Sequence, residues 1–344
     1  MKYNLLGRTG LYVSEMCLGT MTFGGEGFWA NMGKVQIDEV KRLVKGAFDA
    51  GVNFMDTANV YSFGASETLL GEAIQQLGLP RDELVLATKA TGMMNELPNG
   101  RGHSRYHLMN EIDASLKRLQ VDHIDLYQLH GLDPLVPLEE SLGTLNDIVR
   151  SGKVRYIGMS NMPSWQIMKA LAISDKRGYA RFESVQAYYT IAGRDLEREI
   201  IPLVEDQNMG VMVWSPLAGG LLSGKYSADK AAPEGARRAT LDFPYVDKPR
   251  AFACIDAMRP MAEARGVSVA QIALAWLLSR KAVTTVIIGA KNVQQLEDNL
   301  AATKLTLSAD ELTVLDEVSI LPPEYPGWMM ARMLEYRAKP PVKA

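Results

Sequence analysis

Eight short apolar runs, each leading into a segment of helical periodicity, predict an α/β protein built as a closed (β/α)8 TIM barrel. Seven of the runs are spaced by about thirty residues, one βα unit. The runs are continuous and rich in Val, Ile and Leu, as strands buried on both faces of a parallel sheet are. The first run leads into GTMTFGG, which does not fit the GxGxxG turn of the rival doubly wound sheet.

The chain opens with runs over 3–6 and 11–14 around Gly7-Arg8-Thr9-Gly10, a β-hairpin expected to plug the barrel. The first barrel strand follows over 16–20, then a Gly-rich loop over 23–33 holding Phe28 and Trp29. An amphipathic helix is expected over 38–50, with Val40, Leu43, Val44, Ala47 and Phe48 on one face. Further strands are expected over 53–56, 84–88, 124–129, 154–159, 184–187, 211–214 and 285–288. Helices are expected over 66–77, 106–119, 138–150, 164–172, 196–207, 250–265, 269–279 and 293–300. The stretch 225–249, mixed in Pro, Gly and charge, predicts a long loop after strand 7 at one barrel mouth. Residues 1–320 then make a single barrel domain, and 321–344, Pro-rich and then aromatic at Trp328, a tail covering a barrel end.

A chain of 344 residues suits one undivided barrel with a large core. Its 37 basic and 40 acidic residues are intermixed, for a net charge of −3, so no basic stripe invites nucleic acid. The two cysteines, Cys17 and Cys254, make neither a disulfide framework nor a zinc site and suit a reducing cytoplasm. The N-terminus is too short and polar for a signal peptide, and no apolar run is long enough to cross a bilayer. These features predict a cytoplasmic protein with no membrane partner, and leave a homo-oligomer open.

In such a barrel, reactive groups gather where strands end and βα loops begin. Those positions hold Asp56 and Tyr61, then Lys89, then His130, on three successive strands. Later strand ends bring Ser160, Asn161, Gln186, Trp214 and Ser215, then Gly289, Ala290 and Lys291. Singly, each residue has a plainer reading: Asp56 a turn cap, Lys89 a solvated rim charge, His130 a structural group. Together they make a proton-transfer set. A phenol is a poor acid near neutrality, with a pKa of about 10. An ammonium at Lys89 would lower that pKa, and Asp56 would keep the lysine charged. A neutral His130 can donate a hydrogen bond to a substrate oxygen.

The segments DTANVY, the TK of LATKATG, DLYQLH, GKVRYIGMSN, WSPLAGGLLSGKY and IIGAKN with QLEDN resemble the aldo-keto reductase family, in order, from Leu5 to about Leu315. The resemblance places that family's tetrad on Asp56, Tyr61, Lys89 and His130. It implies reduction of an aldehyde or ketone by NADPH, with Tyr61 giving the proton, Lys89 and Asp56 tuning it, and His130 orienting the carbonyl. It puts the nicotinamide against Ser160, Asn161, Gln186 and Trp214, and adds Gly19, Thr20, Met21 and Asp56 to the cofactor-binding residues. It wraps the pyrophosphate with Ser215, Pro216, Leu217, Gly219, Leu221 and Lys225, with Arg238 as a phosphate clamp. Gly289, Lys291, Gln295, Asp298 and Asn299 fall on the adenosine end, where a cation at Lys291 favours NADPH over a weaker NADH. Trp214 and the segment after it point to the branch holding bacterial general-stress reductases and potassium-channel beta subunits. Phe28, Trp29, Phe63 and Trp328 are the expected substrate walls.

Two other motifs lead nowhere. Gly219 to Lys225 nearly spells a phosphate-binding loop, but Tyr226 stands where Ser or Thr must hold magnesium. His103 and His107 are spaced i, i+4 but lack a third ligand, and no metal is expected. The alternative to an enzyme is a nicotinamide-binding regulatory subunit, which can keep the same tetrad. The hairpin beginning at Tyr3, with no appended segment, favours the enzyme.

Overall fold

The turn at Gly7 bends the first residues back, so β1 (Tyr3–Leu5) and β2 (Tyr12–Ser14) pair antiparallel, Tyr3 opposite Ser14. Gly7 adopts φ 59°, and a Cβ there would lie 2.3 Å from the Glu183 carbonyl oxygen, so only glycine lets the hairpin seat this closely. Leu6 and Val13 are fully buried and fill the closed end of the barrel.

In the computed structural model, which describes residues 1–227 and 237–338, the chain then alternates strand and helix. The order is β3 (Met16–Gly19), α1 (Ile37–Asp49), β4 (Phe54–Asp56), α2 (Ala65–Leu77), β5 (Val85–Ala90), α3 (Arg105–Leu119), β6 (Ile124–Leu129) and α4 (Leu138–Arg150). Next come β7 (Val154–Ser160), α5 (Ser164–Arg177), β8 (Phe182–Tyr188), α6 (Ile200–Gln207) and β9 (Gly210–Trp214). After α7 (Arg237–Thr240), α8 (Lys248–Arg265) and α9 (Val269–Leu278) come β10 (Thr285–Gly289), α10 (Val293–Ala301), α11 (Ala309–Val318) and α12 (Gly327–Ala338). Strands β3 to β10 pair in parallel, and β10 closes on β3 with Gly289 opposite Gly19. The predicted eight-stranded barrel is what forms.

Strand alternation sorts the side chains into two cores. Cys17, Phe54, Val85, Leu126, Met212 and Ile287 point inward onto Leu6 and Val13. Leu18, Met55, Leu86, Leu129, Met159 and Val185 point outward under the helices.

The boundaries differ from expectation in places that matter. Lys89 and Ser160 lie within β5 and β7 rather than after them. The helix expected over 196–207 divides, with a 3-10 turn at Asp195–Glu197 and α6 starting at Ile200. Pro202 lacks an N–H and is tolerated only in a first helical turn, so the helix must begin close to it. His103 lies in a loop and His107 in α3, so the pair does not share a helix.

The middle of the long loop after β9, residues 228–236, and the end of the tail, 339–344, lie outside the described residues. The start of the tail is held by Arg198, just before α6, which pairs with Glu324 at 3.0 Å and donates to the Pro322 carbonyl at 3.3 Å, while α12 buries none of its residues. Among the described residues no single helix is long and apolar enough to cross a membrane.

Candidate active site

Lys89 sits at the centre of the barrel's open end, fully buried, because the alternation of β5 that turns Val85 and Ala87 inward turns Lys89 inward too. A buried ammonium is costly unless paired. Its Nζ donates to Asp56 Oδ2 at 2.5 Å and to the Thr57 carbonyl at 2.7 Å, and lies 3.5 Å from Tyr61 Oη. Burial alone would lower the lysine pKa; Asp56 and Tyr61 outweigh it and hold the ammonium above its ordinary range.

Asp56 has two further donors. Gln128 Nε2 reaches its Oδ1 at 3.0 Å and Gln186 Nε2 reaches the same atom at 2.9 Å. The sequence reading passed over Gln128. The signal was present: a glutamine two residues after Leu126, and so on the same inward face of the strand, must find a polar partner. Gly158 makes the room, since a Cβ there would lie 2.6 Å from Ser184 Oγ and 3.2 Å from Gln128 Cγ.

The segment after β4 brings Tyr61 over Lys89, with the ammonium 5.1 Å from the ring centroid. Its ring meets Trp29 edge-on at 5.3 Å and His130 at 5.6 Å. Lys89 does not lower the phenol's pKa overall, as had been expected. Burial raises it, Lys89 opposes, Asp56 adds to the rise, and the net direction is upward. Pairwise charge was legible in the sequence, whereas the loss of water around the ring depends on the folded packing. His130, half-buried at the rim, is pushed down to about 3 by burial and by Lys89, so its imidazole is neutral at physiological pH.

Around the mouth, the positions expected to hold a nicotinamide nucleotide converge. Ser160 Oγ is buried and has no hydrogen-bond partner among the described residues, so it could bond a carboxamide. Asn161, at φ 54°, donates to the His130 carbonyl at 3.0 Å and accepts from the Trp214 indole N–H at 3.1 Å. Trp214 stacks on Phe243, with centroids 6.0 Å apart. Ser215, Ala218, Gly219 and Gly220 all have positive φ in a tight turn that closes on itself: the Ala218 N–H donates to the Ser215 carbonyl at 2.8 Å, the Gly219 N–H to Ser215 Oγ at 3.1 Å and the Gly220 N–H to the Leu217 carbonyl at 2.9 Å. The buried, polar Ser160 fits the carboxamide end of a nicotinamide cofactor, the kind of group that the resemblance implied.

Other assigned residues stand in settings the sequence did not show. Arg238 donates to the carbonyls of Ala218, at 2.8 Å, and Pro244, at 3.1 Å, and pairs with Asp242, so its guanidinium clasps two loops together. Asp298 accepts from Ser268 Oγ at 2.9 Å and Gln271 Nε2 at 2.6 Å. Gln295 Oε1 accepts from the Lys291 backbone N–H at 3.0 Å, and Asn299 Nδ2 reaches the Gly289 carbonyl at 3.4 Å. Phe28 packs edge-on against Trp29 at 5.8 Å, and Phe63 is half exposed beside the Tyr61 turn. Trp328 instead lines a groove of about 870 Å³ with Trp165, Arg198 and Leu203, a set that does not include Tyr61.

Comparison with known proteins adds a further finding. Residues 15–320 match the model of the aldo/keto reductase family. The uncharacterized oxidoreductase YrpG of Bacillus subtilis is 39% identical, over 92% of this chain and 96% of its own. Versiconal hemiacetal acetate reductase of Aspergillus parasiticus is 32% identical, over 95% of this chain and 99% of its own. A Schizosaccharomyces pombe protein named for a voltage-gated potassium channel beta subunit is 36% identical, over 92% of each chain.

Proposed function

This chain belongs to the aldo/keto reductase family, and from that premise we propose that it is an oxidoreductase reducing an aldehyde or ketone to an alcohol, with NADPH as cofactor and Tyr61 as the general acid. The observation that carries the reading is the bonded line Asp56–Lys89–Tyr61 ending beside His130. The carbonyl carbon receives a hydride, which reduced nicotinamide supplies when bound, and the carbonyl oxygen receives the Tyr61 proton.

Lys89 donates towards the phenol oxygen, which leaves the phenol's own hydrogen to point into the mouth. The raised pKa keeps that hydrogen in place until a carbonyl oxygen gains charge. As the proton leaves, the ammonium beside the new phenolate stabilises it, and Asp56, held by Gln128 and Gln186, keeps the ammonium charged. Neutral His130 donates to the carbonyl oxygen without contributing a net charge. Ser160, Asn161, Gln186 and Trp214 would hold the nicotinamide, the Ser215–Lys225 segment the pyrophosphate, and Lys291 the 2′-phosphate. Trp29, Phe28 and Phe63 favour an apolar or aromatic carbonyl compound.

Oxidation of NADPH and NADH is followed with a panel of aryl aldehydes, ketones and quinones. The reading expects multiple turnovers, faster with NADPH. Turnover no faster than cofactor release, with a membrane protein co-purifying, supports instead a regulatory subunit of the kind named among the relatives.

A further inference from the structure

The turn carrying Tyr61 has a shape the chain disfavours. Ser62 and Phe63 adopt φ 49° and 52°, and Gly64 follows at φ 97°. Two successive side-chain-bearing residues in the left-handed region persist only where their surroundings over-determine them. From the front, Ser62 Oγ donates to the Phe23 carbonyl at 3.1 Å and accepts from the Gly25 N–H at 2.8 Å.

From behind, the turn rests on a line of charge that the mechanism does not use. Thr88, neighbour of Lys89, has its side chain on the face of β5 opposite Lys89, and donates to Glu67 Oε1 at 2.5 Å. Glu67, fully buried on α2, accepts from Arg118 Nε at 2.6 Å. Arg118 Nη2 donates to Glu111 Oε2 at 3.3 Å, and the same oxygen accepts from Asn59 Nδ2 at 2.9 Å. The Arg118 chain also packs beneath Gly64, where an added Cβ would lie 2.7 Å from its Cδ. One network thus grips both ends of the turn, Asn59 and Gly64, and ties them to the strand that carries Lys89. An apolar filling of equal volume would serve stability as well as buried ions do.

We propose that Asn59 and Glu111, with Arg118 and Glu67 behind them, are positioning residues that set the reach of Tyr61 over Lys89 and so the rate of proton donation. The proposal rests on Tyr61 being the acid.

Asn59 and Glu111 are the variants to use, because Glu67 is too buried to change without risk to folding. Asn59→Ala and Glu111→Leu are each expected to lower kcat for carbonyl reduction by about 10- to 100-fold, as small misplacements of a reacting group do. NADPH affinity by fluorescence should be unchanged and the solvent deuterium isotope effect on kcat should rise, showing that proton donation has become slower. The double variant should lose little more than the worse single one, because the two residues act through one bond. Glu111→Gln keeps an acceptor oxygen for Asn59 and should stay within about threefold of the parent. The proposal is overturned if folded Asn59→Ala and Glu111→Leu keep parental kcat. It is also overturned if their losses add and follow a loss of cofactor affinity. Tyr61→Phe run alongside separates the two ideas. If it is inactive and Asn59→Ala is not impaired, only the positioning role fails; if it turns over normally, the assignment of the acid fails.

Discussion

The two ends of the barrel interior are lined by the same strands with the same alternation, and they hold opposite chemistry. At the closed end Leu6 and Val13 meet Cys17, Phe54, Val85 and Leu126, with the β-hairpin sealing them from water. One inward position further along the same strands, Phe54 is succeeded by Asp56, Ala87 by Lys89 and Leu126 by Gln128. The base is apolar and anchors the barrel. The mouth buries an ion pair and two amides that contribute little net stability and that, in the proposed chemistry, fix the proton donor. Stability and chemistry are divided along the barrel axis, and substitutions at the two ends should therefore fail differently.

The largest effect is expected at the mouth. Lys89→Met leaves Asp56 buried without its cation and should cost about 3–5 kcal/mol of stability, while carbonyl reduction is lost; denaturant melts and steady-state assays read both. At the base, Leu6→Ala should cost about 2–5 kcal/mol, but the folded fraction should retain the parental kcat and KM. A loss of kcat there would break the division. At the outer edge of the mouth, Lys291→Ala should weaken NADPH about tenfold and leave NADH nearly unchanged, measured by fluorescence titration; equal losses would remove the 2′-phosphate assignment. The smallest expected effect is that of pH. With His130 pushed down to about 3 and the Tyr61 phenol raised, both groups keep one form across the neutral range. The kcat of reduction should be flat from about pH 5 to 9, without a limb near an ordinary histidine. A limb there would mean that His130 is solvated and charged.

Much of this was legible in the sequence because strand ends are legible. Asp56, Lys89 and His130 stand at the ends of apolar runs and Tyr61 in the turn after the first of them, and the closure of a barrel brings such positions together. What stayed hidden depends on packing between segments distant in the chain. Gln128 lay inside the strand expected over 124–129, one residue before its end, and drew no role. Glu67 fell within the helix expected over 66–77 and Asn59 within DTANVY, and neither drew a role, since their partners Arg118 and Glu111 lie some fifty residues away on α3. The rise in the Tyr61 pKa comes from burial, which no local pattern states. Trp328 is aromatic and C-terminal, and its place on the α5–α6 flank follows from Arg198 and Glu324.

The proposed reduction turns on the Tyr61 proton. Tyr61→Phe keeps the ring against Trp29 and His130 and removes only the hydroxyl. Binding of NADPH, read by fluorescence quenching, should match the parent, while kcat for aldehyde reduction should fall by about 10²–10⁴-fold. Near-parental turnover by this variant would contradict the central claim.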